Sequence, residues 1–132
     1  MGKDILVSTI SACYKMEKYL SGFLTSFRRQ TFFKEMEVVL DHNEPTEQEL
    51  QRVKGFQKEH PGRLKHIVRE KVDPIGVSWN RCIREGSGEF VAIWNVDDIR
   101  TDCSIELQAR LLLDNPGINL AYGDYTMVIK EN

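Results

Sequence analysis

The stretch "WNRCIREGSGEFVAIWNVDD", residues 79–98, changes its character part-way through. Its first part belongs to a helix expected over Val77–Glu85 and closed by Gly86 and Gly88. Its second part, Phe90–Trp94, is a continuous apolar run of strand length. A strand apolar on both faces is covered on both faces, which is the habit of parallel sheets. The run stops at Asn95, Val96, Asp97 and Asp98. Two adjacent carboxylates at the end of a buried strand repel each other and cost solvation energy, so the pair calls for a compensating positive charge.

The same alternation extends in both directions. Ile5–Ile10 reads as a buried strand, and Tyr19, Leu20, Phe23, Leu24 and Phe27 stripe a helix from about Lys18 to Gln30. Met36–Leu40 is a second strand, ending in the turn residues Asp41, His42, Asn43, Glu44 and Pro45. Thr46 with Glu49 forms a capping box that opens a helix, and His60, Pro61 and Gly62 end it. Leu64–Val68 is a third strand, Ser104–Leu113 a further helix, and Leu120–Ile129 has strand character interrupted by Gly123 and Asp124. The order β-α-β-α-β-α-β-α-β predicts an α/β fold of three layers, with a mostly parallel sheet between helices.

Composition narrows the function. The chain has 132 residues, 41% hydrophobic and 29% charged, with a net charge of −2 and no run of like charges. That balance suits one globular domain and argues against a nucleic-acid surface built on bulk charge. No apolar stretch approaches the roughly 20 residues of a membrane span, and no secretory signal is apparent. Cys13, Cys82 and Cys103 are widely separated and odd in number, which fits reduced thiols in a cytoplasmic protein.

Ligands of open parallel sheets bind beyond the carboxyl ends of the strands. Ala12, Cys13 and Tyr14 follow the first strand, Asp41 and His42 the second, and Asn95, Asp97 and Asp98 the fourth. The oxygen-rich acid pair suits a hard divalent cation, Mn²⁺ or Mg²⁺, which would also neutralise a diphosphate. Neither GxxxxGK[ST] nor GxGxxG occurs, so no glycine-rich loop cradles a phosphate. The competing reading is that Asp98 or Asp102 caps the following helix.

Four segments carry a resemblance: "SACYKMEKYL", "FRRQTFFKEMEVVLDHNEPT", "WNRCIREGSGEFVAIWNVDD" and "YGDY". The third resembles N-x-G-I-x-x-A-x-G-E-Y-I-A-F-L-D-x-D-D with no gap. Together they resemble the family 2 inverting glycosyltransferases of GT-A fold, from about Ile5 to Asp124. The resemblance implies a nucleotide-diphosphate sugar donor, UDP- or GDP-linked, and residues 1–132 as one donor-binding domain whose acceptor half is absent. It implies Asp97 as metal ligand with Asp98 assisting. Asn95 stands where the family has a further acid, and it keeps the ability to bond a ribose hydroxyl without contributing charge. Asp41 and His42 fall where the family reads the nucleobase; His42 is alternatively an ordinary exposed turn histidine. Asn80 matches an asparagine that would face the donor, Cys82 replaces a glycine packed on the sheet, and Trp79 and Trp94 read as core. Lys15 either meets a phosphate or extends into water. The acceptor, a glycan, lipid or protein, and the catalytic base stay unidentified, and any membrane association would come through other parts or partners. A non-catalytic binding or assembly module on the same fold is the alternative.

Overall fold

The computed structural model describes residues 5–129. The elements are β1 (Val7–Cys13), α1 (Glu17–Arg28), β2 (Met36–Asn43), α2 (Glu47–Glu59), β3 (Leu64–Arg69), α3 (Ile75–Glu85), β4 (Phe90–Ile93) and α4 (Ser104–Asp114), with a short 3₁₀ turn at Phe33–Glu35. The four strands form one parallel sheet in the order β3-β2-β1-β4. β1 and β2, in the middle, are buried along almost their whole length, which is why their sequences carry apolar residues on both faces.

Strand alternation sorts the side chains. Val7, Cys13, Met36, Val38 and Leu40 join the large core with the buried stripes of α1, α2 and α4. Ile10 and Val39 point to the other face, where Cys82 and Trp79 of α3 cover them. The sheet therefore lies between helices on both sides, as the alternating pattern predicts. Trp94 and Phe23 pack edge to face at 5.5 Å in the larger core, and Cys82 is fully buried against the sheet.

The loop between α3 and β4 is fixed by a polar cluster at the amino end of the sheet. Glu37, buried in β2, accepts from Ser8 Oγ at 2.7 Å and from the Ser87 amide at 2.6 Å, with Lys65 at 3.4 Å. Gly88 passes so close to β1 that a Cβ there would lie 2.5 Å from the Ser8 nitrogen. Only glycine permits that approach.

Several boundaries differ from the sequence expectation, and one expected strand is missing. β1 and β2 run on to Cys13 and Asn43, through polar residues, because the ladder is made by the backbone and both strands have neighbours that far. α3 begins at Ile75, behind Pro74, whose fixed φ suits a helix start. The strand expected over Leu120–Ile129 is not formed: that segment pairs with no strand among the described residues, and Leu120, Tyr122 and Tyr125 stand exposed. An apolar extended segment becomes a strand only where a sheet edge receives it. No described helix is long and apolar enough to cross a membrane.

Candidate functional site

The strand order locates the crevice. From β1 the chain moves out through β2 and β3, then returns to lay β4 on the other side of β1. The direction of winding reverses between β1 and β4, and in open α/β sheets ligands bind at the carboxyl ends flanking such a reversal. Ala12 and Tyr14 on one strand end and Asn95, Asp97 and Asp98 on the other are the residues that flank it.

The acid pair rides on a turn that the core holds in place. Trp94 is buried, and its Nε1 donates to the Asp98 carbonyl at 3.0 Å. Ser11 Oγ donates to the Trp94 carbonyl at 2.6 Å, tying the turn to β1. Arg100 lies over the Trp94 ring at 5.5 Å and donates to the Ile93 carbonyl at 3.0 Å. The turn closes with the Asp98 amide on the Asn95 carbonyl at 3.0 Å. Asp97 and Asp98 are exposed, Asn95 is half-buried, and among the described residues neither acid is ion-paired. The capping alternative does not hold: α4 starts from Cys103 with no side-chain cap, and Asp102 is paired with Arg29 at 3.1 Å. Two exposed carboxylates on a braced turn, Asp98 within the electrostatic reach of Arg100, fit a hard oxygen-seeking cation such as Mn²⁺ or Mg²⁺. Asn95 adds a neutral oxygen only.

Asp41 is fully buried at the end of β2, on the α3 face. Its Oδ2 accepts from Arg81 Nη1 at 2.5 Å, while Arg81 Nη2 reaches Asp73 Oδ2 at 2.7 Å. Hydrogen bonding to Asp73 leads the contacts that hold the Arg81 guanidinium above its ordinary range. Asp41 Oδ1 is buried and has no hydrogen-bond partner. A carboxylate oxygen left in this state costs desolvation energy unless a donor arrives. Asn80, on α3, is exposed.

His42 lies on the face opposite Asp41, which corrects the expectation that it stands exposed in a turn. It follows Asp41 within the same strand, so its side chain emerges on the opposite face. It is fully buried, with Nε2 3.2 Å from Glu49 Oε2 and Nδ1 3.0 Å from His66 Nε2. Cys13 Sγ lies 3.8 Å from the same Glu49 oxygen. Glu49 is also the capping residue expected from sequence: its Oε1 accepts the Thr46 amide at 2.9 Å, and Thr46 Oγ1 accepts the Glu49 amide at 3.1 Å. Burial pulls His42 below its ordinary value and His66 down to about 4, so both rings are neutral near pH 7. Burial raises Glu49, yet the Thr46 amide and His42 outweigh it and leave the carboxylate below its usual range. Burial, then Glu49, pushes the Cys13 thiol far up.

Lys15 and Glu44, which follow β1 and β2 at this edge, both have positive φ, 53° and 45°. Such backbone is uncommon for residues other than glycine and gathers at functional edges. Lys15 is exposed, its ammonium 5.3 Å from the Tyr14 ring. Sequence reasoning placed Asp73 at the end of the third strand but missed Arg81 and His66. Arg81 could have been found from its place one residue before Cys82 on the sheet-facing side of α3; His66 is brought in by tertiary packing alone.

Known proteins share this architecture and sequence. From Escherichia coli, the UDP-Glc:alpha-D-GlcNAc-diphosphoundecaprenol beta-1,3-glucosyltransferase WfgD is 26% identical over 125 residues, covering 95% of this chain and 47% of that protein. The uncharacterized glycosyltransferase MJ1057 of Methanocaldococcus jannaschii is 27% identical over 128 residues, 96% of this chain and 43% of its own length. The chain thus spans less than half of the curated relatives it matches. Among solved structures, TarS of S. aureus in complex with UDP-GlcNAc superposes with a TM-score of 0.75 at 28% identity, covering 84% of this chain and 32% of that one. The mannosyltransferase PcManGT of Pyrobaculum calidifontis, in complex with GDP-Man and Mn²⁺, gives 0.74 at 19% identity over 86% of this chain and 34% of its own, a likeness of fold. The family model described as glycosyl transferase family 2 matches residues 8–129, and the chain belongs to that family.

Proposed function

We propose that this chain is the donor-binding half of an inverting glycosyltransferase that takes a UDP-linked sugar with Mn²⁺ or Mg²⁺. The observation that carries the reading is the partnerless Oδ1 of Asp41 at the same sheet edge as the exposed Asp97–Asp98 pair. One feature asks for an N–H donor and the other for a cation, and a uridine diphosphate with its metal brings both. Uracil is favoured over guanine because the relatives above 25% identity that name a donor name a uridine nucleotide.

Asp97, with Asp98 assisting, would hold the cation, whose positive charge would supply electrostatic stabilisation to the donor's leaving group. Asp41 accepts the base N–H, with Arg81 holding its carboxylate in orientation. Asn95 bonds a ribose hydroxyl, and Ala12, Tyr14 and Asn80 flank the nucleotide. Inversion needs a base that takes the acceptor hydroxyl's proton as that oxygen attacks the sugar carbon opposite the nucleotide. No described residue is assigned as that base, and the acceptor is a glycan, lipid or protein. The undecaprenol-linked acceptor in the name of the Escherichia coli relative fits a role in making cell-surface polymers at a cytoplasmic location.

A thermal-shift series tests the reading. UDP or a UDP-sugar at millimolar concentration with Mn²⁺ should raise the melting temperature by mass action on the native state. Asp97→Ala should remove the metal-dependent part of the rise, and Asp41→Ala should reduce the preference for UDP over CDP. No rise with any nucleotide diphosphate in the folded chain would refute the proposal.

A further inference from the structure

Cys13, His42 and Glu49 place a thiol, an imidazole and a carboxylate together beneath the start of α2, on the face of the sheet away from Asp41. All three are buried, and their ligand atoms lie within 4.8 Å of one another. We propose that they form a second cation site, selective for a thiophilic divalent ion such as Zn²⁺ and separate from the acid pair that serves the sugar donor.

The distances support it. Around tetrahedral zinc, with bonds of about 2.3 Å to sulfur and about 2.0 Å to nitrogen and oxygen, the ligand atoms stand about 3.3 Å (N to O) and about 3.5 Å (S to O) apart. Here His42 Nε2 is 3.2 Å and Cys13 Sγ 3.8 Å from Glu49 Oε2. The outer contacts of a metal site are also in place. His66 Nε2, 3.0 Å from His42 Nδ1, orients the ring, and the Thr46 amide fixes the second Glu49 oxygen at 2.9 Å. Glu49, though buried, borders a surface groove with Lys15, Glu17, Thr46 and Arg52, the side from which the ion and a fourth, water ligand would enter.

The ligand set decides the ion. Sulfur and nitrogen favour zinc over manganese or magnesium, whereas the oxygens of Asp97 and Asp98 favour the reverse. On binding, the Cys13 thiol releases its proton to solvent and becomes the sulfur ligand. His42 remains neutral, binding through Nε2 with its proton on Nδ1 and donated towards His66. The ion ties the end of β1 to the end of β2 and the first turn of α2, the segments that carry Ala12, Tyr14 and Asp41.

Chelator-stripped protein titrated with Co²⁺ reports directly on this site. The expected result is one equivalent bound, with an intense thiolate-to-cobalt charge-transfer band that Zn²⁺ displaces. Cys13→Ser should abolish the band and weaken zinc binding by at least about 10-fold, while Cys103→Ser and Asp97→Ala retain both. Should Cys13→Ser not fold, Cys82→Ser and Cys103→Ser decide, because a band surviving both can arise only from Cys13. A folded wild-type chain that shows no thiolate band with excess Co²⁺, or a band lost in Cys103→Ser or Cys82→Ser, overturns the proposal. Neither outcome touches the nucleotide thermal shift, so this site and the donor site stand or fall separately.

Discussion

Asp41 and His42 are neighbours in sequence, and so are Asp97 and Asp98, but the two pairs meet opposite fates. The first pair lies inside a central strand, so the pleat sends Asp41 towards α3 and His42 towards α2, and both are fully buried. The second lies on a turn past the end of β4, and both acids reach solvent. A polar pair in a buried strand is divided between two separate networks, each obliged to satisfy its own member. A polar pair on a turn stays together and can act jointly on one ligand. The difference is whether the ladder still has a partner at that point: β2 has a neighbour on each side through His42, whereas β4 stops at Ile93.

The contrast should be largest in thiol chemistry. Cys82 lies near Asp41 and Cys13 beside His42, both fully buried, while Cys103 is exposed just beyond the acid turn. Burial, with Asp41 next, pushes the Cys82 thiol up to about 11. At pH 8 its thiolate fraction is then about one in a thousand, and it grows as pH rises towards that value. Mass spectrometry after iodoacetamide treatment of the native chain should find Cys103 modified at least about 100-fold faster than Cys82 or Cys13. Comparable rates would mean that the central strands are not closed as described.

The exposed pair depends on its buried anchor. Trp94→Ala removes the ring that meets Phe23 and Phe27 and the donor to the Asp98 carbonyl. Urea denaturation should show a loss of about 3–5 kcal/mol. Gly88→Ala drives a methyl into the β1 backbone and should cost about 1–3 kcal/mol through a shifted β4. On the His42 side, Thr46→Ala strips the helix cap that shares Glu49, at about 1 kcal/mol. Asp97→Ala should change stability by no more than about 0.5 kcal/mol, since it is exposed and no ion pair to it occurs among the described residues. A large loss there would show that the acid supports the fold rather than a ligand.

The four strands and four helices were legible because unbroken apolar runs alternate with striped segments, and the capping box at Thr46 and Glu49 announced α2 outright. Asp97 and Asp98 stood out because an apolar run ended on two charges. His42 was misplaced because the expected strand stopped at Leu40, where the apolar run gives way to Asp41. Extending the alternation by two residues would have turned the histidine inward. Leu120–Ile129 looked like a strand because its residues favour extended backbone, but pairing is a property of the neighbour, and no local pattern reveals whether an edge is available. His66 and Arg81 owe their roles to the register of β3 and the seating of α3, neither of which a single segment encodes.

β4 matches β1 only from Val7 to Ile10, while β1 continues to Cys13. Ile10 still offers its carbonyl to the Trp94 amide, and Ala12, two residues on, is paired with Asp41 of β2 on one side and with no residue of β4 on the other. The shorter strand thus leaves a seam unstitched at the crevice, where main-chain groups of β1 have no β4 partner and would be open to the proposed nucleotide. An alanine at that spot can take part in recognition without a functional group of its own, and exchanging its methyl for another small side chain would leave the contact intact.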